Sequence, residues 1–141
     1  MLNSRVMHEL VGLIHENFKD YSVFVNSYNE DSEKIVSIAD VPSPNNTEEV
    51  SDHYALEYAI LNFTVNGESN NTEQSLDMVR ELRHLITESL GVRLHSIENV
   101  KITAIEPIGN AMSLGANSCG VSVSTFSIIF KYTEEYKYGR N

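Results

Sequence analysis

The chain predicts an α+β fold: a mostly antiparallel sheet with two helices packed on one face, in the order α-β-β-β-α-β-β. Three observations predict it. Residues 71–91 repeat Leu76, Val79, Leu82, Ile86 and Leu90 at steps of three or four, the signature of a one-sided helix. Residues 3–19 carry a second such stripe in Val6, Leu10, Leu13, Ile14 and Phe18. Most other apolar residues stand in runs of β-branched and aromatic character at 21–26, 34–39, 53–66, 99–106 and 121–132. A one-sided helix has to cover something, and strand runs lie on both sides of the longer one.

Taken in order, Asn3 or Ser4 supplies the N-cap of the first helix. Gly12 costs that helix about 1 kcal/mol relative to alanine and marks close packing. YSVFVN and KIVSIA follow as strands, separated by the turn residues NSYNEDSE, and suggest a hairpin with a long connection. Residues 40–52, with two prolines and several acids, predict a loop. In 53–66 the apolar phase moves from Leu56, Tyr58 and Ile60 to Leu61, Phe63 and Val65, which requires a bulge or a change of covered face. Asn71 and Gln74 form a capping-box pattern for the second helix, and Gly91 stands where a left-handed C′ residue would end it. Pro107 is expected to end the strand at 99–106, leaving the uncharged 108–120 as a loop. The tail 133–141 is expected to fray or to dock on a neighbour.

The 141 residues suffice for one domain with its own core. The formal charge is −10, and it is unevenly spread. Glu30, Asp31, Glu33, Asp40, Glu48, Glu49, Asp52 and Glu57 stand against Lys34 alone, placing −7 of the −10 between residues 30 and 57. Such a surface repels phosphate backbones and excludes an ordinary nucleic-acid binder. Its plainest role is solubility. A single cysteine, Cys119, excludes an internal disulfide framework and fits a reducing cytoplasm. No apolar run reaches the roughly 20 residues of a membrane span, and the first residues lack a signal-peptide core.

Residues that carry chemistry are sparse. There is no phosphate-binding loop and no strand-turn-helix GxGxxG. His8 and His15, with Glu9 and Glu16 beside them, sit two helical turns apart, a spacing that favours exposed polar groups over a metal pair. Cys119 lies in a Gly/Ser/Asn loop with no helix N-terminus to lower its pKa, so a passive thiol is expected. Glu57 is expected to face solvent or a partner, and Tyr132 is among the tyrosines that could enrich an interface. These features predict no catalytic residue, no cofactor and no metal.

The arrangement nevertheless resembles the small tail-terminator (tail-completion, or minor capsid) proteins of long-tailed bacteriophages. An opening helix, MHELVGLIHENF, runs at once into the strand YSVFV. YAILNFTVNG then turns into the helix TEQSLDMVRELRHLITESL. The chain closes on KITAIEPIGNAMSLGANSCGVSVSTFSIIFKY, in which an uncharged AMSLGANSCG stands where the family usually has a charged Asp/Gly turn. The resemblance implies a virion protein without a reaction: a homo-oligomeric ring, commonly a hexamer, seated on the last ring of the tail tube. Its implied partners are further copies of itself, the tail tube protein and the head-connector protein. DNA would pass through the ring without specific binding, helped by the acidic stretch if part of that stretch lines the lumen.

A different class also fits the residues, a stand-alone binding module that captures a partner through loop 40–52. Either way the irregular loops are the expected contact surfaces. Ile108, Met112 and Leu114 in one, and Glu48, Glu49 and Asp52 in the other, are the candidate interface residues. The competing expectation for Met112 and Leu114 is that they fold back as a lid over the sheet.

Overall fold

The structure is a computed structural model that describes residues 2–41, 47–49 and 54–135. Among these residues stand helices α1 (Ser4–Asn17) and α2 (Thr72–Arg93) and six strands. These are β1 (Ser22–Val25), β2 (Ile35–Val41), β3 (Thr47–Glu49), β4 (Tyr54–Ser69), β5 (Val100–Ala116) and β6 (Val121–Glu135). The sheet runs β1-β2-β4-β6-β5, antiparallel except for the first pair, with both helices on one face: an α+β fold.

Alternation places Ala59, Leu61, Phe63 and Val65 of β4 on the helix-covered face, opposite Phe126, Ile128 and Phe130 of β6. The Phe63 and Phe126 rings stack with centroids 4.5 Å apart. Onto this surface α1 presses Val6, Leu10 and Ile14, and α2 presses Val79, Leu82, Ile86 and Leu90, all fully buried. Each such side chain contributes about 1.5–3 kcal/mol by leaving water. Both helices start as their residues dictate. The Asn3 side chain accepts from the backbone N–H of Arg5 at 2.9 Å, and that of Asn71 accepts from Gln74 N–H at 3.3 Å while its amide meets Gln74 Oε1.

Several expectations are corrected. The segments 21–26 and 34–39 are not a hairpin, because β1 and β2 are parallel. The connection 26–34 recrosses the uncovered face and is held there by Asn66 of β4, itself fully buried. Asn66 Nδ2 donates to the carbonyls of Asn29 (2.8 Å) and Ser32 (3.0 Å), and its Oδ1 accepts from the Tyr28 hydroxyl at 2.9 Å. A polar anchor distant in sequence thus sets the direction in which the chain re-enters the sheet.

The stretch 40–52 is not one loop. Asp40 and Val41 belong to β2, and β3 continues β2's line along β4, picking up at Glu57 where β2 stopped at Ile60. Asp52 and the other residues at 42–46 and 50–53 lie outside the described residues. The phase change in β4 needs no bulge, since its register to β6 is continuous from Tyr54 to Asn66. Tyr58 and Ile60 simply occupy the uncovered face, half-buried, while Leu61 and its successors occupy the covered one.

The second helix does not end at Gly91. It continues to Arg93 and passes into a single 3-10 turn, Leu94–Ser96. Arg93 explains the extension: its guanidinium reaches Glu9 and Glu16 of α1, each at 2.6 Å. Gly12 lies between those carboxylates, and a Cβ there would stand 2.8 Å from the guanidinium. Ser75, not Leu76, is the first buried residue of the stripe, because it faces Gly67 at the end of β4. At the other end of the chain β6 extends to Glu135, so residues 133–135 are sheet; residues 136–141 lie outside the described residues.

Candidate assembly surface

Pro107 does not end the strand before it. β5 runs on to Ala116, so Ile108, Met112 and Leu114 belong to an edge strand rather than a loop. Proline is tolerated because an edge strand needs ladder bonds on one side only. The pairing with β6 is broken between Ile102 and Ala104, between Ile108 and Met112, and between Ser113 and Gly115. Gly109 and Gly115 take left-handed backbone at the second and third breaks, with φ +67° and +75°. Arg83 of α2 donates to the Gly109 carbonyl at 3.2 Å and ties the widest break to the helix layer. This irregular pairing was hidden in the sequence, where three glycines and a proline suggest a loop.

The three side chains point away from the core. Ile108 is 44 %, Met112 55 % and Leu114 58 % exposed, so the lid does not form. From Pro107 to Gly120 the chain carries no charge. The turn that follows is built on Asn117, whose Oδ1 accepts from the backbone N–H of Cys119 (2.9 Å) and Val121 (3.1 Å).

The acidic residues do not form one face. Asp40 turns toward the start of α1, where its Oδ2 accepts from Leu2 N–H at 2.6 Å. Glu57 is only 8 % exposed, against the expectation that it faces solvent or a partner. Tyr132 is buried as well, with its hydroxyl 3.1 Å from Asn3 N–H, so it offers no interface surface. Burial raises the Tyr132 pKa, and the charges of Glu57, Glu134 and Asp40 raise it further. Glu48 and Glu49 sit in β3 at the register of Leu56 and Ala55. The two candidate loops are therefore not brought together: β3 pairs with β4, whereas β5 lies beyond β6.

Sequence reasoning missed one cluster. Glu30, Asp31 and Cys119 place three possible metal-ligand atoms within 4.8 Å of one another, all exposed. They come from two loops 88 residues apart, so no spacing signal could have revealed them. The thiol donates to Asp31 Oδ1 at 2.9 Å, and this bond is the main reason its pKa lies above the ordinary thiol value. A thiol held protonated is a poor nucleophile. No helix among the described residues is long and apolar enough to cross a membrane. No protein-family model matches the chain, and no curated protein matches it.

Proposed function

We propose that this protein is the tail terminator of a long-tailed bacteriophage, a ring of identical subunits, six in number, at the head-proximal end of the tail tube. In the virion it would stop tube polymerisation and offer the head connector its docking surface. The sequence resemblance supports this reading over nearly the whole chain. The structural observation that carries it is the uncharged second half of β5, from Pro107 on, with Ile108, Met112 and Leu114 exposed along it. A long edge with apolar side chains is a liability in a monomer and an asset in a subunit that another chain will cover.

The test is direct. Purified chain added to polymerising tail tube protein should limit tube length, with rings visible at tube ends by electron microscopy. Tubes that grow equally long with and without it would overturn the reading. The Met112→Asp/Leu114→Asp variant should fold and yet fail to limit growth.

A further inference from the structure

Among the described residues seven large apolar side chains are exposed, and five of them lie on the two edge strands of the sheet. Phe24 and Val25 lie on β1, and Ile108, Met112 and Leu114 lie on β5. Residues 21–29 and 107–120 carry no charge of their own, and Glu30 and Asp31 stand at the Cys119 turn, past the end of β5. In a chain of formal charge −10 these are surfaces where two copies can meet without opposing like charges.

The register adds a geometric match. Phe24 pairs with Ser37, Ser37 with Thr64, Thr64 with Thr125, and Thr125 with Met112, so one cross-sheet row has an exposed apolar residue at each end. The wide break after Ile108 is what advances Met112 into this row. β1 runs parallel to β2, and each later step across the sheet reverses direction, so β1 and β5 are antiparallel.

We propose that copies of this chain join head to tail, the β1 edge of one subunit lying antiparallel against the β5 edge of the next, with Phe24 beside Met112. A subunit rotated about an axis along the strands, without slipping, brings those two residues to the same level. Such a heterologous contact repeats from copy to copy and closes into a ring when the rotation divides the circle. This inference rests on the ring part of the function proposed above and names the two surfaces that build it.

Two edge variants test it, Phe24→Asp/Val25→Asp and Met112→Asp/Leu114→Asp, each checked for fold by circular dichroism. Each alone should sediment as a monomer. Their mixture should form a one-to-one dimer, because each retains the edge the other has lost. A cysteine pair gives a second readout that needs no charge in the interface. In a Cys119→Ser background, Phe24→Cys with Met112→Cys should oxidise to a ladder of linked subunits, and either cysteine alone should not. Dimers linked through Met112→Cys alone would mean that β5 pairs with itself, and would overturn the proposal. A ring that survives the Phe24→Asp/Val25→Asp change would overturn it too, while leaving the terminator reading standing. A ring that obeys these rules yet does not limit tail-tube growth would overturn only the terminator reading. A wild-type chain that stays monomeric at every concentration would end both.

Discussion

Gly67 shows how little room single residues leave. A Cβ at this position would lie 1.8 Å from Ser75 Oγ and 2.7 Å from Ser75 Cβ, so no rotamer change of Ser75 can clear it. Gly67→Ala should therefore destabilise the protein by about 1–3 kcal/mol in a denaturant melt, as overpacking does. Adding Ser75→Gly should return part of the loss. Equal melts for the single and double variants would mean the clash is not its cause. Glu16 gives a pH signature. Its hydrogen bond to Arg93 lowers its pKa from the ordinary 4.5. A carboxyl whose folded pKa is depressed contributes stability that is present above the unfolded value and disappears as pH falls through the folded one. Between neutral pH and about pH 3 the wild type should therefore lose more stability than Glu16→Gln. Parallel pH profiles would show that the ion pair contributes nothing. Cys119→Ser should leave the fold intact by circular dichroism, the thiol being exposed and its partner Asp31 able to accept from a hydroxyl.

Helix α2 is the element on which the layers depend, because it meets β4, β5 and β6 together. Leu82 and Ile86 are fully buried at its centre. Truncating either to alanine should cost about 2–5 kcal/mol, the range for a cavity in a close-packed core. Glu81→Ala and Glu88→Ala, on the far side of the same turns, should stay within about 0.5 kcal/mol. Four small, equal effects in denaturant melts would mean the helix is not docked. Its last turn has a second attachment, since Arg93 links it to Glu9 and Glu16 on α1. The helices therefore act as one layer, joined by charge at the end where α2 passes into the 3-10 turn.

At the scale of the whole molecule the layering is one-sided. Among the described residues both helices cover one face, and the crossover 26–34 lies over part of the other, near Asn66, Ile35 and Val123. A subunit built this way has two edge strands for contact with others. Because Met112 and Leu114 are more than half exposed, replacing both with aspartate should shift monomer stability by no more than about 0.5 kcal/mol. The same variant should lose all assembly in sedimentation. A large fall in melting temperature would contradict the exposure of these side chains.

Much of this protein was legible in its residues because the information is local. The Asn3 and Asn71 caps, the stripes at Val6, Leu10 and Ile14 and at Val79, Leu82 and Ile86, and the alternation in β4 and β6 all involve neighbours a few positions apart. Periodicity also implied that the helices share one face of a sheet. The rest was decided by contacts between distant residues. Asn66 holds the crossover that makes β1 and β2 parallel, and these bonds span up to 38 positions. Pro107, Gly109 and Gly115 read as loop punctuation, yet β6 supplies a partner strand that β5 follows through its breaks. Gly91 stays helical because Arg93, two residues on, finds its carboxylates 77 and 84 positions away. Local chemistry selects the elements; backbone pairing and charge pairing across the fold decide where a strand stops, which way it runs and which apolar side chains remain in water.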